Sequence, residues 1–152
     1  MIHDEPSIED ALREILLLMP QVIARLKRSG VPPEFGSMAL GPRHLPLLAY
    51  LHYDGAMTVN ELAQRLEVAA ATVSLMLAEL SRHGLVERHP DDADRRRTIV
   101  SIGSNHGPAI ERWIGHSAAA WRRTFADMQP AERAVFLRTL RRYERELAQR
   151  HS

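Results

Sequence analysis

The sequence predicts a mainly α-helical chain with one small, two-stranded β-hairpin, and three observations lead there. Apolar residues recur at steps of three and four over most of the length, the period of a helix with one buried face. Only two runs, Leu85–His89 and Thr98–Ile102, have the composition of strands, and the polar stretch Pro90–Arg97 between them can close a hairpin. A chain of 152 residues, 45% apolar and 26% charged, suits one compact unit and excludes a multidomain enzyme or a disordered segment.

Taken in order, Ser7 and Asp10 open a series at Ile8, Leu12, Ile15, Met19, Val22 and Leu26 that fits an amphipathic helix, which Pro20 is expected to kink or divide. Residues 30–42 combine three prolines with three glycines and read as a loop, with Pro42 placed to begin a second helix that runs to about Tyr53. Asp54-Gly55 is a turn. Thr58 and Glu61 then form a T-x-x-E capping box for a short helix through Val59, Leu62, Ala63 and Leu66. After a break near Glu67–Ala70, a longer helix places Val73, Met76, Leu77 and Leu80 on one face and ends at Gly84 as a left-handed cap. The hairpin follows. Two long helices complete the chain, one from about Gly107 with Ile110, Trp113, Ile114, Trp121 and Phe125, the other opened by Pro130 with Phe136, Leu140, Tyr143 and Leu147 at seam-like spacing.

Composition removes several chemistries. There is no cysteine, so disulfides, thiolate metal sites and thiol nucleophiles are excluded. No stretch approaches the roughly 18 apolar residues of a membrane span. The opening MIHDEPSIED lacks the basic and then apolar regions of a signal peptide, so a cytoplasmic protein with no membrane partner is expected. The net charge of +1 is unevenly spread. Residues 1–57 carry 5 basic and 7 acidic side chains, residues 58–103 carry 6 and 7, and residues 104–152 carry 9 and 5. A nucleic-acid contact by the middle segment therefore has to rest on a few placed arginines rather than on bulk charge.

Helix, turn, helix and basic-tipped hairpin is the order of a winged helix-turn-helix, in which the second helix enters the major groove and the wing an adjacent minor groove. The run MTVNELAQRLEVAAATVSLMLAELSRHGLVERHPDDADRRRTIVSI closely resembles the MarR family of bacterial winged-helix transcription regulators, with its T-V-x-E-L-A, T-V-x-x-x-L, L-x-x-x-G-L-V-E-R and D-x-x-D-R-R patterns. The resemblance implies a dimerisation helix and loop over 1–41, a DNA-binding lobe over 42–104 and dimerisation helices over 105–152. It also implies no enzymatic activity and no cofactor. The apolar faces of the terminal helices, too long for so small a core, point independently to a homodimer.

Carried over by position, the resemblance puts double-stranded DNA against Ala71, Thr72, Ser74, Leu75, Ala78 and Arg82 of the second helix and against Asp94, Arg95, Arg96 and Arg97 of the wing. Asp94 braces Arg96, the residue aimed at the minor groove, where a long cation gains most from the enhanced negative potential. The pattern departs from the family at Ala69, Ala70 and Ala71, where a cap is missing, at Leu75, where a basic residue is usual, and at Glu79, where one is frequent. Shape and small or apolar contacts to thymine methyls would then carry much of the reading. The runner-up is a winged helix specialised for protein contact, motivated by Leu75, Glu79 and the near-neutral middle segment.

The resemblance further implies a small aromatic or anionic effector, in a pocket whose expected walls are Ile15, Met19, His44, Leu48, His52 and Trp113. The eight histidines invite a metal reading, but His44 and His52, like His106 and His116, are spaced too far along a helix to chelate one ion. Asp91, Asp92 and Asp94 near His89 could hold a divalent ion for hydrolysis. A hairpin tip encloses no pocket, however, and three neighbouring arginines oppose a cation.

Overall fold

In the computed structural model, which describes residues 5–29, 31–36, 38 and 40–149, helix α1 spans Ile8–Ser29. It opens on a reciprocal cap: Asp10 accepts from the Ser7 N–H at 3.2 Å and the Ser7 hydroxyl at 2.6 Å, and Ser7 Oγ accepts from the Asp10 N–H at 3.2 Å. The helix runs through Pro20 as one element, so the expected division does not occur. The carbonyl that Pro20 leaves without its N–H belongs to Leu16, a residue 71% exposed, where water can replace the lost partner. Leu12, Ile15, Leu17 and Leu18 are exposed on the same helix.

Two short 3-10 turns, Pro33–Phe35 and Pro42–His44, lead into α2 (Leu45–Asp54), so the second helix begins three residues later than Pro42 suggested. A two-residue strand, β1 (Met57–Thr58), precedes α3 (Val59–Leu66). Next come α4 (Ala70–Arg82), β2 (Val86–Pro90) and β3 (Thr98–Ile102). Helices α5 (Gly107–Ala126) and α6 (Pro130–Gln149) close the chain. The sheet has three strands in the order β1-β3-β2, which corrects the expected two-stranded hairpin. Met57 pairs with Val100 and Thr58 with Ile99, antiparallel, so β3 is central and the wing is hydrogen-bonded to the residues that start α3.

Gly84 adopts φ +72 and turns the chain out of α4. Its N–H reaches Ser81 O at 2.9 Å and the Leu85 N–H reaches Leu80 O at 3.0 Å, a Schellman ending that aims the chain directly into β2.

The core lies among α2, α3, α4, the sheet and the first half of α5. Leu47, Leu48, Leu62, Val73, Leu77, Leu80, Leu85 and Val100 are wholly buried, with Ile110 and Trp113 at 1% exposure. Phe35, from the loop, packs on Trp113 with ring centroids 5.4 Å apart. Burying each leucine contributes about 1.5–3 kcal/mol, and these side chains fix the depth at which α4 sits on the lobe.

The chain divides into two units, Met1–Ile114 and Gly115–Ser152. In the second, Trp121, Phe125 and Phe136 form an aromatic cluster with centroids 5.3–5.8 Å apart across the α5–α6 turn. Glu132 accepts from the Gln129 N–H at 2.6 Å, and Arg133 Nη1 donates to Phe125 O at 3.1 Å, closing that turn. No side chain of α6 is buried: Val135, Leu140 and Tyr143 are exposed. Among the described residues, no helix is long and apolar enough to cross a membrane.

Candidate nucleic-acid interface

Helix α3 is fixed at its start by the capping box that Thr58 and Glu61 predict. Glu61 Oε2 accepts from the Thr58 N–H at 2.7 Å and hydroxyl at 2.9 Å, while Thr58 Oγ1 accepts from the Glu61 N–H at 3.2 Å. These bonds, with the nearby cations Arg97 and Arg65 adding less, hold the Glu61 carboxyl below the usual carboxylate range. The helix ends at Glu67, whose φ of 55 makes it the one non-glycine residue with positive φ among those described. This left-handed residue supplies the sharp turn into α4.

Helix α4 presents two contrasting sides. Val73, Met76, Leu77 and Leu80 are buried, as the spacing predicts, whereas Ala71, Thr72, Ser74, Leu75, Ala78 and Arg82 are all exposed. Leu75 is 70% exposed, too high for a residue with a role in this core. The start of the helix carries no side-chain cap, in keeping with Ala69 in that position. Arg88 of β2 reaches the same helix and donates through Nη2 to Ser74 O at 3.5 Å. It places a cation beside the exposed face that the sequence reading left out of the site, although the residue lies inside the quoted L-V-E-R run.

At the wing, carboxylates organise the loop between β2 and β3. Asp91 Oδ1 accepts from the Ala93 N–H at 3.0 Å, and the Arg97 N–H donates to Asp94 O at 2.9 Å. Asp94 Oδ1 accepts from the Arg96 N–H at 3.1 Å and from Arg96 Nε at 3.4 Å. The carboxylate thus ties the backbone and the root of the guanidinium together and leaves the rest of the Arg96 side chain, 94% exposed, pointing outward. Arg97 differs, because its Nε lies 3.7 Å from Asp91 Oδ2. The three arginines are therefore unequal: Arg97 is held to the wing, and Arg96 projects from it. Between the wing and the start of α3 lies an open groove of about 600 Å³ lined by Thr58, Glu61, Gln64, Arg96 and Arg97.

Glu79 does not face an absent ligand. Its carboxylate oxygens both accept from Arg43 Nη2 at 2.9 Å, and Oε2 lies 2.7 Å from His44 Nε2. The His44 contact, followed by Arg43, holds this carboxyl below its ordinary range. At the foot of the wing, Glu87 accepts from the Ser104 N–H at 2.9 Å and hydroxyl at 2.8 Å, which lowers its carboxyl in the same way.

The expected effector walls fall in different surroundings. His44, Leu48 and Trp113 are buried in the core, Met19 is partly covered, and Ile15 and His52 are exposed. His44 belongs to the 3-10 turn before α2 rather than to the helix that carries His52. Among the described residues, no three histidine, aspartate or glutamate side chains gather as a metal site.

The sequence profile of the MarR family matches residues 40–97, which span α2 to the wing tip. The chain is 25% identical to YsmB, an HTH-type transcriptional regulator of Bacillus subtilis, over 141 residues that cover 93% of this chain and 91% of that one. It is 30% identical over 85 residues to MdtR, an HTH-type transcriptional repressor of the same bacterium, covering 56% and 49% of the two chains. Among solved structures, the MepR–DNA complex of S. aureus superposes with a TM-score of 0.64 at 20% identity, covering 86% of this chain and 96% of that one. From the loop before α2 to the wing tip, the chain is similar to the MarR family, and its fold is that of the solved structure named above.

Proposed function

We propose that this protein is a DNA-binding transcription regulator, acting as a repressor, whose α4 enters the major groove while Arg96 of the wing enters the adjacent minor groove. The observation that carries the reading is the division of α4. Val73, Met76, Leu77 and Leu80 are buried in the core, and Ala71, Thr72, Ser74, Leu75, Ala78 and Arg82 are left in solvent beside a braced, projecting arginine. Small and apolar side chains on such a face suit thymine methyls, and the hydroxyls of Thr72 and Ser74 suit base edges. Arg82, Arg88, Arg95 and Arg97 supply phosphate contacts that fix orientation without carrying sequence. MdtR is named a repressor and MepR has been solved with DNA, which supports the same assignment here.

The acting species in this reading is a homodimer on a pseudo-palindrome, with its two α4 helices about one DNA turn apart. The exposed apolar residues of α1 and α6 support it, since a monomer would leave them in water. The division into a lobe over 42–104 flanked by dimerisation segments over 1–41 and 105–152 belongs to this proposal. So does a small aromatic or anionic effector at Ile15, Met19, His44, Leu48, His52 and Trp113, checked by a thermal-shift screen with aromatic carboxylates.

The test is fluorescence anisotropy on a pool of genomic fragments, titrated with salt, with wild type and Arg96→Ala in parallel. Salt-sensitive, fragment-selective binding weakened by the substitution is expected. Absence of binding at low salt would overturn the assignment in favour of a protein-contact module. Leu75 motivates that alternative, since it lines a groove of about 420 Å³ with Leu66, Val68 and Met76.

A further inference from the structure

Glu79 sits on the reading helix yet has little capacity left to read. A carboxylate offers about four acceptor positions. Arg43 and His44 occupy three of them. His44 is the only buried polar side chain among the described residues, at 0% exposure, and it is held at both ends of its ring. Its Nδ1 lies 3.1 Å from Gly41 N and 3.3 Å from Gly41 O, and its Nε2 faces the Glu79 carboxylate, an acceptor, at 2.7 Å. A ring fixed in this way cannot follow the helix if α4 turns.

Other side-chain polar restraints on that rotation are few. Apolar packing sets how deeply α4 is seated but is not directional. The start of α4 is uncapped, and among the described residues side-chain hydrogen bonds reach the helix at only two places, Arg88 on Ser74 O at 3.5 Å and the Glu79 brace. A rotation of about 10° moves a side chain about 1 Å at the helix surface, given a diameter of about 10–12 Å. That displacement exceeds the roughly 0.5 Å window of a good hydrogen bond, so the brace adds a sharply directional restraint to the packing of Val73, Leu77 and Leu80.

Taking α4 as the DNA-reading helix proposed above, we propose that Glu79 is a positioning residue: held by Arg43 and His44, it sets the rotation of α4 and so the directions of Ser74, Leu75 and Ala78 toward the base edges. Its negative charge, unfavourable toward phosphates on its own, is offset by Arg43 in the same contact.

The experiment compares wild type with Glu79→Ala, Glu79→Gln and Arg43→Ala on two duplexes, a fragment selected by wild type from the genomic pool and a scrambled version of it. Melting temperature is recorded beside affinity. Positioning predicts that Glu79→Ala loses about ten-fold in preference for the selected duplex, the scale of one base pair of recognition, while affinity for the scrambled duplex holds or rises. Glu79→Gln, which still accepts from His44, should lose less, and Arg43→Ala should lose preference without touching the buried side of the brace. An equal change on both duplexes would overturn the proposal by reducing Glu79 to a local charge. A loss of preference in the Glu79 variants with Arg43→Ala silent would overturn it by making Glu79 a reader. If Glu79→Ala does not fold, Glu79→Gln and Arg43→Ala decide alone. Failure of wild type to bind any duplex would overturn the DNA reading and this proposal with it, whereas an unchanged preference in variants of a protein that binds would overturn only the latter.

Discussion

Gly103 lies directly against the carbonyl of Gly84: its N–H donates to Leu85 O at 2.8 Å, and a methyl group on its Cα would sit 1.9 Å from Gly84 O. No flexible side chain is available to yield there, because the opposing atoms are backbone. Gly103→Ala must therefore push the end of β3 away from the α4–β2 turn. Overpacking of this kind costs about 1–3 kcal/mol or more. At this chain length each kcal/mol is worth about 2–4 °C, so calorimetry should show a fall of several degrees. A melting temperature equal to that of wild type would mean the two segments are not held in this register.

The wing arginines should separate by function. Arg96→Ala should weaken binding to every duplex and reduce the salt slope by about one phosphate contact. Ser74→Ala should instead change the ranking among sequences. Asp94→Ala, which frees the Arg96 guanidinium and backbone, should resemble a mild Arg96→Ala, because the cation remains but its direction is lost. Anisotropy on matched duplexes checks all three, and a uniform effect of Ser74→Ala would count against placing α4 in the major groove.

The α3 cap makes a pH-dependent prediction. Because the Glu61 carboxyl is depressed in the folded protein, its stabilisation is fully present above the ordinary carboxylate range and fades as pH falls through the lower folded value. Thr58→Ala should cost about 1 kcal/mol at neutral pH. Glu61→Gln should melt below wild type at pH 7, and the gap should close as the pH drops below about 4, where carboxylates protonate. A gap that stays constant from pH 7 to pH 3 would show that the charge on Glu61 contributes nothing to the cap.

Exposed apolar side chains on α1 and α6 predict the assembly state. Sedimentation should give a dimer, and Leu12→Asp combined with Leu140→Arg should release monomers that melt earlier. A wild-type monomer at micromolar concentration would remove the two-half-site geometry from the proposed function.

Local signals made much of this fold legible. Thr58 with Glu61, Gly84, Pro130 and the Val73–Met76–Leu77–Leu80 stripe each depend on residues within one or two turns, and each is found where its spacing places it. Strand β1 was illegible because two residues carry no period, and only pairing with β3, some forty residues later, makes Met57–Thr58 a strand. Pro20 does not divide α1, because the carbonyl it orphans belongs to an exposed residue, Leu16, where the lost partner costs little. At the candidate interface, the exposed residues of α4 and the Asp94–Arg96 brace follow from pattern and resemblance. The role of Glu79 does not, since its partners lie about 35 residues away and composition showed only a carboxylate where a base was expected.

The shared strand has a mechanical consequence. Since β3 is bonded on one side to the strand that starts α3 and on the other to β2, the start of α3 and the wing base cannot shift independently without breaking ladder hydrogen bonds. The wing and the start of the helix pair are thus mounted on one jaw, whose span is set when the chain folds. If the protein grips DNA as proposed, a signal that loosens the grip has to tilt this jaw as a whole, because the ladder does not adjust.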